Sequence, residues 1–510
     1  MDAHRDIPRP TPHAISLASV CQRLGFEPGN AADVEVTGVT LDSRDVREGD
    51  LFIGLAGERV HGARFSDQAV SSGAVAVLTD EAGRGLVPQG VGCVVVKAPR
   101  RRVGDVAAEI YRRPADDLLM MGVTGTNGKT TTTYLLESGL REAGHRTGLV
   151  GTVGTVIDGV SFETSKTTPE ATELHALLAV MRERGVSAVA MEVSSHALAM
   201  GRVDGLAFDV VGFTQLSVDH LDFHGTEEAY FAAKLQLFGR DHSRRAVVTI
   251  DDEGGRRILA GAQVPVTSLG LGADADWQIT NIRERSVGGY RYELQGPGDE
   301  VRPCEVALIG RFNISNAALS QVMLERAGID WDASARGIAG CTGVPGRMER
   351  VGPSDVALVV DYAHTTDALA RAIDAVRPDG QGRVIIVFGC GGDRDPTKRG
   401  PMGEVAARQA DIVVITDDNP RSEAPEGIRQ AVLAGAESVP QQQRAEVVVV
   451  GDRRDAIEAA VRRARRGDVV LVAGKGHETG QEVNGVVTPF DDRVELLAAW
   501  ERVQPHLEPT

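Results

Sequence analysis

Residues 122–133 read GVTGTNGKTTTT and combine the residue types that bind phosphate groups. They follow the apolar stretch Leu118–Met121 and lead into a run with helical spacing, which predicts a strand, a glycine-rich turn and a helix. Small residues let backbone N–H groups approach phosphate oxygens, and the positive end of the following helix faces them. In such a loop Lys129 reaches the β- and γ-phosphates, and the hydroxyl of Thr130 binds Mg²⁺.

The loop departs from the common pattern G-x-x-x-x-G-K-[ST] in one place. The first glycine of that pattern would fall at Val123, whereas glycines stand at 122 and 125. A chance glycine turn is the alternative, but the order of strand, glycines, GKTTTT and helix favours phosphate binding.

Carboxylate and imidazole groups follow two other predicted strands. Glu192 and Ser194 come at the end of a buried strand in MEVSSHAL, where a carboxylate beside a nucleotide is a candidate Mg²⁺ ligand. The alternative for this pair is helix capping. His220, in DHLD, is expected to close the next strand in the same way, with a purely structural role as its alternative.

Three polar residues lie on predicted helices. By its spacing alone, Lys234 in YFAAKLQLF is a solvated lysine on an amphipathic helix. Asn313 and Asn316 fall three residues apart at a helix start in GRFNISNAAL. Capping explains one of these asparagines, and the pair together leaves a contact surface on one helix face.

Arginine and acidic residues concentrate at three strand ends near the carboxyl terminus. These are Asp393-Arg394, the run DDNPR at 417–421 and the run GKGHE at 474–478. Arginine pairs with carboxylates and acidic side chains pair with ammonium groups, so together the runs could hold a zwitterionic amino acid. Turn chemistry with surface ion pairs is the alternative. The segment FGCGGDRD lacks the G-x-G-x-x-G pattern of a dinucleotide loop.

Bulk composition narrows the class of protein. The chain of 510 residues is too long for one core, and its net charge of −17 argues against a nucleic-acid or anionic-membrane surface. Its five cysteines form no disulfide or zinc pattern, which suggests a reducing compartment. We expect no signal peptide, no transmembrane helix and a cytoplasmic location, since neither a leader nor an 18-residue apolar run is present.

Strand and helix patterns divide the chain into three α/β segments: residues 1–115, 116–346 and 347–510. The first alternates short strands and helices. The second carries the phosphate loop, apolar strands typical of a covered parallel sheet, and a clean alternation around Gly288-Gly289 that predicts an antiparallel hairpin. The third has five apolar strands separated by helices, which is typical of an open parallel sheet with ligands at its carboxyl edge.

In order along the chain, the motifs resemble those of the Mur ligases, ATP-dependent amide-forming enzymes of peptidoglycan precursor synthesis. The motifs are TLDSR (40–44), GTNGKTT (125–131), TTPE (167–170), EVSSHAL (192–198), DHLDFHG (219–225), AAKLQLF (232–238), GRFNISNA (310–317), PGRMER (345–350), DYAHTTDAL (361–369), GCGGDRD (389–395), DDNPR (417–421) and GKGHE (474–478). The resemblance implies a central P-loop domain, an N-terminal domain that binds a UDP substrate and a Rossmann-like C-terminal domain.

The resemblance also implies roles for individual residues. ATP would be bound by Gly125, Thr126, Asn127, Gly128, Lys129, Thr130, Thr131, Asn313, Asn316, Arg347 and Asp361. The UDP-linked substrate would contact Leu41, Ser43, Thr167, Thr168, Ser194 and Arg202. Mg²⁺ would be held by Thr130, Glu192, His220 and Lys234, the last as a carbamate formed with CO₂. Diaminopimelate would be bound by Arg394, Asp418, Asn419, Pro420, Arg421, Gly474 and Glu478.

These expectations describe a monomer that acts on small molecules: ATP, a UDP-MurNAc-dipeptide and diaminopimelate. Arg421 favours diaminopimelate over lysine, because lysine lacks the second carboxylate that an arginine can pair with. Folate polyglutamylation shares the nucleotide loop, but the first segment and the run DNPR argue against it. A nucleotide-controlled switch is the alternative from another class. Met200 stands where some relatives carry glutamine, which puts one hydrogen bond to the nucleotide-sugar substrate in question.

Overall fold

The computed structural model describes residues 8–164, 166–285, 289–298, 300–352, 355–377 and 382–503. Three main sheets of four, eleven and six strands, covered by helices, confirm the predicted mixed α/β class. Each sheet lies within one of the three predicted segments. The domain limits themselves, near residues 115 and 346, stay a prediction.

The first segment is built on a four-stranded parallel sheet in the order β3-β4-β5-β6, beside a short antiparallel pair β1-β2. Its elements are β1 (Ile15–Ser16), α1 (Leu17–Leu24), β2 (Glu35–Val36), β3 (Gly38–Thr40), β4 (Asp50–Gly54), α2 (Ser66–Ser71), β5 (Ala76–Thr79), α3 (Glu81–Arg84), β6 (Gly92–Val95) and α4 (Val103–Ile110). Helices α1 and α4 pack on it, and Ala171 and Ala176 of the second segment complete that core.

The second segment contains one sheet of eleven strands in the order β10-β9-β8-β11-β7-β12-β13-β14-β15-β16-β17. Its strands are β7 (Leu119–Thr124), β8 (Thr147–Gly151), β9 (Gly154–Ile157), β10 (Val160–Phe162), β11 (Ala188–Glu192), β12 (Val210–Phe213), β13 (Ala246–Thr249), β14 (Val266–Gly270), β15 (Trp277–Glu284), β16 (Tyr290–Gln295) and β17 (Val301–Val306). The seven strands from β8 to β15 in this order pair in parallel, and β9-β10 and β16-β17 extend the sheet antiparallel at its two edges.

Helices cover both faces of this sheet. They are α5 (Lys129–Glu142), α6 (Ala171–Glu183), α7 (Ser195–Ala199), α8 (Leu221–His224), α9 (Glu227–Leu235), α10 (Glu253–Gly261), α11 (Phe312–Arg326) and α12 (Trp331–Gly340). Side chains alternate along β7, so that Met120 packs into one core and Met121 into the other. Strands that are buried on both faces consist of continuous apolar runs, and for this reason they can be predicted from the sequence.

The third segment has a six-stranded sheet in the order β18-β19-β23-β20-β21-β22, parallel except for β18. Its elements are β18 (Glu349–Arg350), β19 (Ala357–Asp361), α13 (Thr366–Ala375), β20 (Val384–Phe388), α14 (Arg399–Gln409), β21 (Ile412–Ile415), α15 (Pro425–Glu437), β22 (Glu446–Val449), α16 (Arg453–Val461), β23 (Val469–Ala473), β24 (Gly480–Val483), β25 (Val486–Pro489) and α17 (Asp492–Val503). Strands β24 and β25 form a separate antiparallel hairpin.

The predicted antiparallel hairpin is present as the pair β15-β16, but Gly288 of its turn lies outside the described residues. The sequence reasoning did not anticipate that this hairpin continues the parallel sheet through β14. Within the described ranges, no helix is both long and apolar enough to cross a membrane.

Candidate active site

The phosphate loop leaves the carboxyl end of β7, the strand that lies between β11 and β12 in the middle of the large sheet. It covers residues 125–128 and leads directly into α5. From β7 the chain continues to β8 and β11 on one side of this strand and later to β12 and β13 on the other side. The strand order therefore reverses at β7, and ligands of open α/β sheets bind at such a switch point. The predicted order of strand, turn and helix is therefore present, with the amino end of α5 open to a ligand.

Gly125 is required by the geometry of this loop. Its φ is 151°, and a β-carbon at this position would lie 1.9 Å from Oγ1 of Thr214. Thr214 follows β12 and its hydroxyl donates to the carbonyl of Asn127, so the neighbouring strand end braces the loop. The glycine that departs from the common P-loop pattern is thus the one that permits this close approach.

Lys129 and Lys234 converge on one backbone oxygen. The Nζ of Lys129 donates to the carbonyls of Gly125 at 2.8 Å and Thr126 at 2.9 Å, and the Nζ of Lys234 donates to Gly125 at 2.8 Å. Burial lowers the pKa of Lys129, although Glu192 opposes this shift. Two lysine amines therefore converge beside the loop.

Lys234 is buried, contrary to its interpretation as a solvated lysine by helical spacing alone. The residue is 1% exposed on α9, and its Nζ lies 4.4 Å from the ring centre of Tyr230. Burial, reinforced by the nearby charge of Lys129, lowers the pKa of Lys234 well below its usual value. A lysine that loses its proton this readily is a nucleophile, which is the state that reacts with CO₂.

Glu192 is the last residue of β11 and is 1% exposed. Its carboxylate accepts the backbone N–H of Thr152 at 2.8 Å and the hydroxyl of Thr152 at 3.0 Å. The same hydroxyl lies 3.1 Å from Oγ1 of Thr167. Sequence reasoning missed Thr152, because a threonine after a short strand carries no signal until its partner is known.

His220 lies in the loop before α8, seven residues beyond the end of β12, so the expectation that it closes that strand is wrong. Its backbone is left-handed, with φ 54°. Burial lowers its pKa to about 4, while Asp219, with a carboxylate oxygen 3.4 Å away, opposes the shift. A neutral imidazole at pH 7 is the form that ligates metal ions.

Within the described residues, no group of three His, Cys, Asp or Glu side chains forms a metal site by itself. Mg²⁺ does not need such a cage, because it is commonly bound by one or two carboxylates together with substrate phosphates and water. The predicted donors Glu192 and Thr130 border the loop that would present those phosphates. The donor set therefore fits an ion that arrives with a nucleotide.

Asn313 and Asn316 lie on the first two turns of α11, and neither caps it: Arg311 precedes the helix without a side-chain cap. The capping interpretation is therefore wrong for both. Nδ2 of Asn316 donates to Oδ1 of Asn313 at 2.9 Å, and Nδ2 of Asn313 donates to the carbonyl of Ile309 at 2.7 Å. Both side chains are buried, and a β-carbon at Gly128 of the phosphate loop would lie 2.6 Å from Oδ1 of Asn316.

Arg347 connects the third segment to the phosphate loop. Its Nη2 donates to Oγ1 of Thr130 at 3.2 Å, and its guanidinium lies 4.4 Å from the ring centre of Tyr362. Asp361, one residue before this tyrosine, accepts the backbone N–H groups of Met348 and Ala363, each at 2.8 Å. The predicted nucleotide contacts from the third segment are thus held beside the loop.

The predicted contacts for a UDP-linked substrate form two groups. Thr168 accepts the backbone N–H of Ser194 at 3.1 Å and its carbonyl accepts from Arg202 at 3.2 Å, next to Glu192. Sδ of Met200 accepts Nη2 of Arg202 at 3.4 Å, so this residue contacts the same cluster. Leu41 and Ser43 follow β3 in the first segment, where the hydroxyl of Ser43 donates to Gln68 at 3.0 Å.

The predicted amino-acid contacts meet at the carboxyl ends of β21 and β23. Nδ2 of Asn419 donates to Oε2 of Glu478 at 3.0 Å. Arg421 has φ 53° and donates to the carbonyl of Gly392 at 2.7 Å. Arg394 is exposed, and its Nη1 makes a long hydrogen bond to the carbonyl of Asp393 at 3.4 Å. Burial raises the pKa of Glu478, and the charge of Asp418 adds to this shift.

Comparison with known families and proteins agrees with this architecture. The Mur ligase family catalytic domain matches residues 35–113, the Mur ligase middle domain residues 123–324, and the Mur ligase glutamate ligase domain residues 346–476. The UDP-N-acetylmuramoyl-L-alanyl-D-glutamate–2,6-diaminopimelate ligase of Streptomyces avermitilis is 50% identical over 502 residues, which is 98% of this chain and 99% of that protein. The enzyme of the same name from Streptomyces coelicolor is also 50% identical, with the same coverage.

A solved structure of a UDP-N-acetylmuramoyl-L-alanyl-D-glutamate–2,6-diaminopimelate ligase superposes with a TM-score of 0.69 and 31% identity. That match covers 96% of this chain and 100% of the solved chain. Sequence families, full-length relatives and fold therefore agree, and the chain belongs to the Mur ligase family.

Proposed function

We propose that the protein is an ATP-dependent ligase that joins diaminopimelate to UDP-N-acetylmuramoyl-L-alanyl-D-glutamate. The observation that carries this proposal is the contact between Arg347 and Thr130. It holds the segment with the run DDNPR and the run GKGHE against the phosphate loop. In the proposed enzyme, a site for an amino acid and a site for a nucleotide would face the same space, as an amide ligase requires.

ATP would bind with its phosphates at the loop 125–128 and at the amino end of α5, where backbone N–H groups are free to bind oxygens. Mg²⁺, held through Thr130, Glu192 and His220, with the carbamate of Lys234 supporting a second ion, would neutralise charge on the phosphates when bound. Lys129 would leave its two carbonyl partners and pair with the phosphates. Phosphoryl transfer needs such positioning and charge neutralisation more than covalent help.

The acceptor of the phosphoryl group would be the side-chain carboxylate of the substrate's D-glutamyl residue. One carboxylate oxygen attacks the γ-phosphorus, the bond to the β,γ-bridging oxygen breaks, and ADP leaves. The product is an acyl phosphate. Thr168, Ser194 and Arg202 lie beside Glu192 and would hold this end of the substrate close to the transferred group.

The amine of diaminopimelate would then attack the acyl carbon. A tetrahedral intermediate forms, the amine loses a proton, and the C–O bond to phosphate breaks to release inorganic phosphate. Water must be excluded meanwhile, because an acyl phosphate hydrolyses. We propose that a rotation of the third segment about residues 343–352 brings the amine in and closes the site.

Arg421 supports diaminopimelate as the amine. Its guanidinium is partly buried and is held by the bond from Nη1 to the carbonyl of Gly392. A guanidinium pairs with the distal carboxylate of diaminopimelate, a group that lysine lacks. The acidic neighbours Asp418 and Glu478 would accept the distal ammonium group.

Release of ADP measured with each substrate omitted in turn tests the proposal. We expect release to depend on both diaminopimelate and the nucleotide dipeptide, and lysine to replace diaminopimelate poorly. Basal hydrolysis indifferent to both substrates would favour a nucleotide switch instead. Arg421→Ala should raise the KM for diaminopimelate far more than the KM for ATP, and equal losses would contradict the assignment of this residue. The UDP-linked substrate places the proposed reaction in the cytoplasm.

A further inference from the structure

Lys475, in the run GKGHE, is the buried cation of the proposed amino-acid site. It has no role among the contacts proposed above. Its side chain is 0% exposed, and its Nζ donates to Oδ1 of Asn419 and to the carbonyl of Gly480, both at 2.8 Å. Burying an ammonium group is costly unless it is bonded and paired, so this position is specified by more than packing.

The first consequence concerns the orientation of Asn419. Its Oδ1 accepts from Nζ of Lys475 and from the backbone N–H of Glu482 at 3.0 Å, and both of these groups can only donate. The amide oxygen therefore faces Lys475, and Nδ2 is directed to Oε2 of Glu478 at 3.0 Å. Without Lys475 this amide would lose one of the two donors that set its direction.

The second consequence concerns charge. Nζ of Lys475 lies 3.4 Å from Oδ1 of Asp418 and 3.7 Å from Oε2 of Glu478. Oδ1 of Asp418 is buried and accepts no hydrogen bond from the described residues, although its charge is compensated. This oxygen therefore retains an unused acceptor position, which an ammonium group of a ligand that enters the site would fill.

The groups that act on Glu478 are Asp418, Lys475, Arg421, Asn419, Tyr362 and Arg453. Among these, burial and Asp418 favour the protonated carboxyl group, whereas Lys475 and Arg421 favour the carboxylate. Lys475 is the member of this set that contacts Asn419, Asp418 and Glu478 together.

We propose that Lys475 is a positioning residue that places a cation beside Asp418 and Glu478 and keeps Asn419 oriented, so that the three can receive the distal ammonium group of the incoming amino acid. The inference deepens the proposed function and rests on it. Lys475 acts through these three side chains, and a ligand held by them would not need to contact it.

The test measures KM and kcat for diaminopimelate, and KM for ATP, in the full-length wild type, Lys475→Met and Lys475→Gln between pH 6.5 and 8.5. Methionine keeps the length of the side chain without charge or donor, and glutamine restores an N–H donor without charge. Lys97→Met, at an exposed lysine of the first segment, is the matched control. Thermal unfolding of all four proteins reports their folding.

We expect Lys475→Met to raise the KM for diaminopimelate by about tenfold or more and to change the KM for ATP less than about twofold. The loss should shrink as the pH rises, because Glu478 without its cation ionises at higher pH. Lys475→Gln should recover part of the loss at pH 8.5 and less at pH 6.5. The control should behave as wild type.

Two results would overturn the inference while leaving the proposed function intact. One is an unchanged KM for diaminopimelate in a folded variant. The other is an equal loss for ATP and diaminopimelate with no pH dependence, which would show that Lys475 only supports the fold. If Lys475→Met fails to fold, the inference is tested by the pH dependence of the KM for diaminopimelate in the milder variant Lys475→Gln. A wild type that shows no diaminopimelate-dependent release of ADP would instead overturn the proposed function itself.

Discussion

Lys129 and Lys234 share the carbonyl oxygen of Gly125, and each Nζ lies 2.8 Å from it although the two residues belong to different helices. Two ammonium groups this close repel each other, which favours the neutral form of one of them. The neutral lysine is expected to be Lys234, because it is the more deeply buried of the two and its pKa is lowered well below the usual value. We propose that this arrangement prepares Lys129 to bind phosphate and Lys234 to be modified covalently.

Removing the amine of Lys234 should abolish the dependence of activity on CO₂. We expect Lys234→Met to reduce kcat by at least about a hundredfold, since the carbamate that would support a second charge-neutralising Mg²⁺ is lost. In wild type, ¹³C-bicarbonate should give a carbamate signal by NMR that is absent from the variant and weakens as the pH falls, because the protonated amine does not react. Full activity of Lys234→Met would contradict a carbamate role.

Gly125→Ala should disturb the phosphate loop. The new β-carbon would lie 1.9 Å from Oγ1 of Thr214 in a backbone conformation that L-residues rarely adopt. We expect a cost of about 1–3 kcal/mol and a KM for ATP raised at least about tenfold. Gly427→Ala, on α15 with nothing within 4 Å of the added carbon, is the matched control and should leave the KM unchanged. Equal KM values for the two variants would contradict this account.

Arg453 and Asp492 form a buried ion pair beneath the strand ends of the third sheet. Both side chains are 0% exposed, and Nη2 of Arg453 lies 2.7 Å from the carboxylate and 2.9 Å from the carbonyl of Ala473. Arg453→Met leaves Asp492 as an unpaired buried charge and should lower the free energy of unfolding by about 3–5 kcal/mol. Adding Asp492→Leu should recover part of this loss in urea denaturation. A double variant no more stable than the single one would contradict the view that the unpaired charge of Asp492 causes the loss.

Because of His175, we expect the free energy of unfolding to fall as the pH drops from 6.5 to 4. It is 0% exposed on α6, and burial lowers its pKa to about 4 from 6.5. Between these values the unfolded chain binds a proton that the folded chain does not, so stability falls by up to about 3 kcal/mol as the pH drops from 6.5 to 4. His175→Gln keeps an N–H for the carbonyl of Asp204 and should flatten this part of the pH profile. Parallel profiles of wild type and variant in urea would contradict the prediction.

Much of the architecture was predictable because it rests on local patterns. Strands covered on both faces read as apolar runs, and the phosphate loop carries its own signature between β7 and α5. The antiparallel strands β9 and β10 were missed, since they are short and since the pairing of β9 with β8 and of β10 with β9 is a tertiary fact. The same is true of the way β14 joins the hairpin to the sheet.

Residues of the site were predictable where they belong to a sequence motif. They were not predictable where their role depends on a contact between distant parts of the chain. The environment of Lys234 depends on Gly125, 109 positions away in sequence, so helical spacing alone predicted solvent exposure. Thr152 supports Glu192 across 40 positions, and Lys475 reaches Asn419 across 56. Asparagine capping failed at α11 because Asn313 and Asn316 bond to each other instead. Such pairings arise only when distant segments meet.

Gly346 directly precedes the third segment, and a β-carbon there would lie 2.1 Å from the backbone nitrogen of His477. The run GKGHE is therefore packed against the place where the segment would pivot. In a rigid rotation, atoms near the axis turn with little displacement, while atoms far from it travel furthest. Closure would then turn the run GKGHE with little displacement, whereas β22, at the far edge of the sheet, would move furthest.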